Sequence, residues 1–265
     1  MTVQTVRWVP WLYGADEPPL DDPAETFHEA SKVYPATAGR DVRGLVLLET
    51  SEEMRYSAGR AVRRWSQVEP VDLPRPALPA VDLRARASGR SFAEAKLDLA
   101  AVASVLWAAY GVSRDGGDLP LRTVPSGGAL YPLELYVLAL RVEGLEQGVY
   151  HYDPLRHVLE PIAEAVDAER LEGLSAYPEL FCAAGVVLVV TALFWRTRFK
   201  YGLRGYRFAL LEAGHVGQNA LLAAAALDLA AVPVGGVFDR RVEQLLELDG
   251  VDESLVYALS VGRRP

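Results

Sequence analysis

The sequence has little cysteine, little histidine and no surplus of positive charge. Its one cysteine, Cys182, cannot form an internal disulfide, so nothing indicates an oxidising compartment. Four histidines and no H-E-x-x-H pattern give too few ligands for a zinc site, and we expect no metal. The formal net charge of -8 argues against an electrostatic nucleic-acid binder.

Long hydrophobic runs are also missing. The longest apolar stretches are residues 186–195, too short to cross a bilayer, and 221–234, which contains Asp228 and ends in proline and glycine. The first nine residues lack the basic and apolar regions of a signal peptide. We therefore expect a cytoplasmic protein without a membrane partner.

The pattern divides the chain in two. Residues 1–79 are weakly patterned, with short helical signals at 24–32 and 52–65, and they end in the extended proline-rich stretch 74–79. We interpret this part as an N-terminal segment and linker, and residues 80–265 as the main domain.

Stronger signals for secondary structure follow the linker. A capping box at Ser91 and Glu94 and helical apolar spacing predict a helix that runs to Tyr110. Apolar runs and turn residues predict strands at 133–142, 148–152, 157–161, 185–194 and 254–261, and helices at 206–229 and 240–248. This is an α+β pattern, and no G-x-G-x-x-G follows a strand, so a Rossmann nucleotide site is disfavoured.

An arginine-rich segment precedes the first helix of this domain. Arg86 and Arg90 flank Ser88 in an R-x-S-x-R arrangement. Guanidinium groups bind phosphate oxygens in bidentate fashion, and a helix start adds backbone N–H donors. A solvated basic loop is the alternative interpretation.

A glycine-rich loop leads into the strand predicted at residue 133. It begins at Arg122 and contains Ser126 and Gly127, followed by a second glycine. Adjacent glycines let the backbone approach a flat ligand closely, and Arg122 can supply positive charge. An ordinary loop before a strand is the alternative.

Lys200 and Tyr201 form the third candidate site. Four arginines lie within seven residues of Lys200, and neighbouring cations disfavour the charged form of a lysine. A neutral amine accepts a proton, and an adjacent phenol can share it. A basic solvated loop is again the alternative.

Three weaker signals complete the set. Glu212 and His215 lie at i, i+3 on the long helix, where we expect them to satisfy hydrogen bonds in the core or to face a partner subunit. Glycine turns and basic tails are common, so two further pairs gain weight only in combination: Gly235 and Gly236 after the long helix, and Arg263 and Arg264 at the end of the sequence.

The order of these motifs resembles the nitroreductase superfamily over about residues 80 to 265. R-x-S-x-R, R-x-x-P-S-G-G-A-L-Y-P, E-x-G-H-x-x-Q-N, P-V-G-G and a terminal G-R-R follow one another. Within the superfamily the chain most resembles SagB-type dehydrogenases, the FMN-dependent azoline oxidases of peptide-modifying gene clusters. The resemblance implies a central, mostly antiparallel sheet flanked by helices, a long core helix, and a homodimer with FMN at the subunit interface.

The same resemblance implies a role for each matching residue. Lys200 and Tyr201 would remove a proton from the substrate. Ser126 and Gly127 would line the isoalloxazine, and Gly235 and Gly236 would approach its N5 edge. The FMN phosphate and ribityl chain would be held by Arg86, Ser88, Arg90 and either Arg263 or Arg264.

We therefore expect an FMN-dependent dehydrogenase that oxidises thiazoline or oxazoline rings in a peptide to thiazoles or oxazoles. An NAD(P)H-dependent nitro or quinone reductase is one alternative. A flavin-bound scaffold subunit of a cyclodehydratase complex is another, and the azoline could also be carried by a nonribosomal pathway. The N-terminal segment shows no obvious leader-binding domain, so recruitment of the peptide by partner proteins stays open.

Overall fold

The computed structural model describes residues 23–30, 43–65, 67–116 and 119–265. The chain divides into two compact units, residues 1–40 and 41–265. In the first unit, helix α1 spans Pro23–Ala30. The other residues of the predicted N-terminal segment up to residue 42 lie outside the described ranges. Residues 43–79 belong to the second unit, and the sequence-based boundary at residue 79 stays a prediction.

The second unit combines helices and strands along its whole length. Its described helices are α2 (Arg43–Thr50), α3 (Glu52–Gly59), α4 (Leu99–Tyr110), α5 (Ala168–Glu172), α6 (Pro178–Cys182), α7 (Trp195–Tyr201), α8 (Arg204–Ala226) and α9 (Asp239–Leu245). Its described strands are β1 (Val71–Asp72), β2 (Leu97–Asp98), β3 (Val112–Asp115), β4 (Pro120–Arg122), β5 (Leu133–Ala139), β6 (Val142–Glu143), β7 (Gly148–Asp153), β8 (Val158–Ala163), β9 (Val186–Leu193), β10 (Leu229–Pro233) and β11 (Glu253–Arg263).

Seven of the strands form one sheet in the order β1-β8-β7-β5-β9-β11-β10. Every neighbouring pair in it is antiparallel, which confirms the predicted antiparallel sheet. Strand β5 is buried on both faces: Leu135 packs into the core on one side and Tyr136 into the core on the other. A strand with two buried faces is apolar at successive positions, which is why the sequence shows continuous hydrophobic runs here.

The long helix α8 packs with α4 on one face of this sheet. Ala209, Ala213 and Ala220 are buried in the core, so the helix lies close to the strands. Gly217 faces the ring of Tyr257, and a β-carbon at this position would collide with that ring. The predicted long core helix is confirmed. No helix among the described residues is both long enough and apolar enough to cross a membrane.

Several predicted helix boundaries are wrong. The helix predicted at 52–65 ends at Gly59, and the helix predicted at 240–248 ends at Leu245. Residues 91–96 are not helical, and α4 begins at Leu99, because the N–H of Ala93 instead donates to the Arg263 carbonyl at 3.0 Å. The long helix ends at Ala226, and β10 begins three residues later. Asp228 turns the chain with a φ of 56°, a conformation that aspartate tolerates better than most residues.

Candidate active site

A tight turn carries the predicted glycine-rich motif into the sheet. Residues Gly127–Ala129 form a 3-10 turn in which Gly128 has a φ of 68°. Ala129 and Tyr131 also have positive φ, at 54° and 44°. The Ser126 hydroxyl accepts a 2.9 Å hydrogen bond from the Tyr131 N–H and holds the turn closed. Strained backbone of this kind is typical of functional sites.

Helix α7 brings Lys200 and Tyr201 against this turn. A β-carbon placed on Gly128 would lie 2.9 Å from the Tyr201 hydroxyl and 3.0 Å from Lys200 Nζ. A β-carbon on Gly127 would lie 3.5 Å from the Tyr201 ring and 3.1 Å from the Phe208 ring. Two predicted motifs more than seventy residues apart in sequence therefore meet, with an amine and a phenol above a glycine backbone.

Arg196 fixes α7 to the strand that follows the turn. Its guanidinium donates to the Tyr131 carbonyl at 3.2 Å and to Glu134 Oε1 at 2.6 Å. Glu134 is buried, and its other carboxylate oxygen lies 2.9 Å from His151 Nε2. Arg196 was not among the predicted site residues, because its role depends on this long-range pairing.

A buried polar cluster supports the turn from below. Glu212 is 2% exposed and accepts a 2.8 Å hydrogen bond from the Tyr110 hydroxyl on Oε1, while its Oε2 has no hydrogen-bond partner among the described residues. Burial raises the pKa of Glu212 to about 7, although Ser126, Tyr110 and Arg122 lower it in part. The sequence predicted that Glu212 either satisfies hydrogen bonds in the core or faces a partner subunit, and the structure places it in the core. Its position next to the predicted ligand loop could not be inferred from the helical pattern.

Arg122 lies in the same cluster. Its guanidinium is stacked between the rings of Tyr110 and Tyr131, 4.2 and 4.7 Å from their centroids. Only 5% of the residue is exposed, and none of its side-chain nitrogens has a hydrogen-bond partner among the described residues. Arg122 therefore supplies positive charge from beneath the turn, with the two aromatic rings on either side of it.

The predicted phosphate-binding residues gather at another place, where β10 and β11 meet. The Gly89 N–H donates to the Ala231 carbonyl at 3.0 Å, so the R-x-S-x-R segment lies along β10. Arg86 is half-buried and its guanidinium is 3.5 Å from the Ser88 hydroxyl. Arg90 is exposed. The segment then passes the end of β11.

The two terminal arginines at this end of the sheet have acidic partners. Arg263 forms a 2.7 Å ion pair with Asp98, and Arg264 lies 3.2 Å from Asp228. Both pairs are at least partly exposed, so they are weak and can be exchanged for a ligand phosphate. The structure thus brings Arg86, Ser88, Arg90, Arg263 and Arg264 to one basic edge of the fold.

Gly235 and Gly236 lie at the opposite end of β10 from this basic edge. A β-carbon on Gly235 would have no atom within 4 Å, so the backbone borders open space. Among the described residues, neither glycine N–H has an acceptor. The five residues of β10 span about 16 Å. Free N–H donors at one end and arginines at the other suit an elongated ligand with a flat head and a phosphate tail.

The turn at Gly127–Ala129, with Lys200 against it, and the basic edge lie at opposite ends of α8. Tyr201 precedes the start of the helix and Asp228, the partner of Arg264, follows its end. Twenty-three residues of α-helix span about 35 Å, which is longer than one FMN molecule. Within one chain, the two groups of candidate residues, or candidate half-sites, therefore lie far apart.

Comparison with known proteins bears on the family of the chain. The profile of the Nitroreductase family matches residues 83–263. A protein of Methanocaldococcus jannaschii whose name assigns it to the nitroreductases, MJ1384, is 39% identical over 180 residues, covering 68% of this chain and 87% of that protein. The microcin B17-processing protein McbC of Escherichia coli is 36% identical over 168 residues, covering 61% of either chain.

Solved structures show the same fold. A chain of the E. coli microcin synthetase McbBCD complex, with truncated pro-MccB17 bound, has a TM-score of 0.61 and 26% identity, covering 91% of this chain and 92% of that one. The predicted nitroreductase-like fold is confirmed. Members of this family commonly bind FMN. On the profile match and the fold together, the chain belongs to the nitroreductase family.

Proposed function

We propose that this chain is an FMN-dependent, SagB-type dehydrogenase that oxidises a thiazoline or oxazoline ring in a peptide to the aromatic azole. The observation that carries the proposal is that Lys200 Nζ and the Tyr201 hydroxyl lie about 3 Å from the point where a β-carbon on Gly128 would stand. An amine and a phenol at a glycine-lined surface are the groups needed to take a proton from a ring lying on that surface.

The chemistry divides between the protein and the cofactor. Conversion of an azoline to an azole removes one proton and one hydride from the ring. The Lys200 amine accepts the ring proton, and the Tyr201 hydroxyl beside it shares that proton. FMN, when bound, supplies the two-electron acceptor, with dioxygen as its oxidant. Because Gly127 and Gly128 carry no side chains, a flat molecule can lie against the backbone of this turn, close to both groups.

The residues that would hold FMN come from both half-sites. Arg86, Ser88 and Arg90, with Arg263 or Arg264, would hold the phosphate and ribityl chain, and Gly235 and Gly236 would offer N–H groups to the ring edge. Ser126 and Gly127 of a second copy would cover the ring, with Arg122 beneath them. A homodimer with two shared sites satisfies this arrangement, because α8 separates the half-sites within one chain.

The relatives indicate the type of pathway. McbC is named as a processing protein of microcin B17, and it is similar to this chain. The McbBCD structure is a complex of McbC with McbB and McbD. By analogy, this cytoplasmic protein acts on a peptide beside a cyclodehydratase. The chain spans 61% of the length of McbC.

The decisive experiment replaces the candidate base. Lys200→Ala should retain FMN, seen by its visible absorbance, and should slow azole formation from an azoline peptide at least about a hundredfold. Tyr201→Phe should slow it less. Lys96→Ala, at an exposed lysine, is the matched control and should leave the rate unchanged. A Lys200→Ala protein that forms azole at the normal rate contradicts the assignment.

A nitro or quinone reductase is the second candidate, favoured by the similarity to MJ1384. Anaerobic addition of NADPH distinguishes the two. Rapid bleaching of the flavin followed by reduction of a nitroarene supports the reductase, whereas slow bleaching with fast azoline turnover supports the dehydrogenase. A Lys200→Ala, Tyr201→Phe double variant that still restores azole formation to a cyclodehydratase supports the scaffold alternative.

A further inference from the structure

Helices α2 and α3 form a wall beside Lys200. The backbone of α2 at Gly44 presses on the carbonyl of Phe199, the residue before Lys200, and leaves no room for a β-carbon. The Thr50 hydroxyl closes α2 by donating to the Val46 carbonyl at 2.7 Å. The Ser51 hydroxyl caps α3 by accepting from the Met54 N–H at 3.2 Å. The two helices therefore hold a defined position relative to the candidate base.

A small cavity lies between this wall and the glycine turn. It encloses about 170 Å³, with Gly128 and Lys200 on one side and Leu48, Glu49 and Arg55 on the other. Leu48 is only 7% exposed and contributes an apolar surface to the cavity. A space of this size can hold a five-membered ring.

A second, more open cavity of about 330 Å³ continues along α3. It is lined by Glu52, Glu53, Arg55 and Tyr56, so Arg55 borders both cavities. The Tyr56 ring is 53% exposed. Among the described residues, the Arg55 guanidinium has neither an ion pair nor a hydrogen-bond acceptor. An unpaired cation at the junction of the two cavities can donate to a peptide carbonyl that flanks a ring in the smaller one.

We propose that α2 and α3 are the substrate wall of the enzyme. The azoline ring enters the cavity beside Lys200, Arg55 donates to a carbonyl of the flanking peptide, and the rest of that peptide lies along α3 over Tyr56. This proposal rests on the proposed function for the identity of the ring. The carboxylates of Glu52 and Glu53 repel acidic residues next to the ring, so a neutral or basic flank is the preferred substrate.

Two synthetic substrates test the wall: an isolated azoline carboxamide and the same azoline within a neutral peptide. In the FMN-loaded protein, Arg55→Ala should raise KM for the peptide about tenfold, with a rise at least fivefold smaller for the carboxamide. Arg55→Lys should restore part of the affinity. Glu52→Lys with Glu53→Lys should shift the preference toward peptides with an acidic flank. Arg240→Ala, at an exposed arginine on α9, is the control.

An equal effect of Arg55→Ala on both substrates, or no effect on either, overturns the proposal. If the unaltered protein oxidises neither substrate, the proposed function fails on its own, and the wall is then judged by equilibrium binding of the fluorescently labelled peptide. A tenfold weakening by Arg55→Ala in that assay supports the wall. Unchanged binding contradicts it.

Discussion

The Tyr110 hydroxyl donates a 2.8 Å hydrogen bond to the buried carboxyl of Glu212 and accepts one from the Leu133 N–H at 3.1 Å. Tyr110 thereby connects α4, α8 and the first residue of β5. Ser126 of the candidate ligand turn lies near the same carboxyl and lowers its pKa in part. The protonation of Glu212 therefore affects both the stability of the core and the loop above it.

Replacing Glu212 by Gln should remove a pH dependence of stability. Burial raises the Glu212 pKa from 4.5 to about 7, so the folded protein binds a proton that the unfolded chain releases between these values. The stabilisation of the folded protein by protonated Glu212 is fully present below pH 4.5 and is lost as pH rises through 7. Relative to the unaltered protein, Glu212→Gln should gain about 2–3 kcal/mol of unfolding free energy between pH 5 and pH 8.

Urea unfolding at the two pH values measures this gain. Glu164→Gln changes an exposed glutamate and should follow the unaltered protein at both. A Glu212→Gln protein whose stability changes with pH in parallel with the unaltered protein would show that this carboxyl ionises in the ordinary acidic range.

Substituting Gly128 should impair catalysis more than stability. Gly128→Ala places a β-carbon about 3 Å from the reactive atoms of Lys200 and Tyr201, at a φ of 68°. The left-handed backbone costs an alanine about 1 kcal/mol. The displaced amine and phenol should slow azole formation about a hundredfold.

Gly144 provides the matched control for this experiment. It has a φ of 77°, and a β-carbon there would meet no atom within 4 Å. Gly144→Ala should therefore show the same loss of unfolding free energy with normal turnover. Equal turnover in the two alanine variants would mean that the Gly128 contact is irrelevant to the reaction.

The sequence could predict the sheet because its strands are buried on both faces. Strands β5 and β9 and the β7–β8 hairpin have local apolar and turn patterns strong enough to locate them within two or three residues. The start of α4 and the existence of β10 depend on tertiary contacts instead. Residues 89–93 bond to β10 and to the end of β11, and this pairing prevails over the capping signal at Ser91.

The candidate site was predictable in part. The motif order identified Ser126, Gly127, Lys200 and Tyr201, and the fold brings these four together. Arg196 and the wall formed by α2 and α3 carry no local signal, since their roles arise where distant segments pack. The separation of the two half-sites also follows from the folded length of α8 rather than from any motif.

Removing the Arg196 side chain should destabilise the fold and displace α7. Arg196 is the 2.6 Å partner of buried Glu134. Burial raises the Glu134 pKa, but Arg196 and His151 together lower it to about 2. The stabilisation of the folded protein by ionised Glu134 is therefore present above pH 4.5 and is lost as pH falls toward 2. Arg196→Ala leaves a buried carboxylate short of a partner and should cost about 3 kcal/mol at pH 7.

Denaturant unfolding of Arg196→Ala and Arg196→Lys separates charge from geometry. The lysine variant should recover part of the loss. Arg198→Ala, on the same helix, removes a guanidinium stacked 4.3 Å from the exposed Trp195 ring and should cost less than about 1 kcal/mol. Similar losses of unfolding free energy in Arg196→Ala and Arg198→Ala would contradict a special role for the ion pair between Arg196 and Glu134.

Removing Arg86 should weaken the binding of FMN through its phosphate alone. Arg86 is half-buried beside Ser88 at the basic edge, where a charge-assisted hydrogen bond to phosphate is worth about ten- to a hundredfold in affinity. Arg86→Ala should therefore raise the Kd for FMN by that factor and leave the Kd for riboflavin, which lacks the phosphate, nearly unchanged. Arg75→Ala, at an exposed arginine, should alter neither. If Arg86→Ala weakens FMN and riboflavin equally, Arg86 supports the loop rather than the phosphate, and the cofactor's tail lies elsewhere.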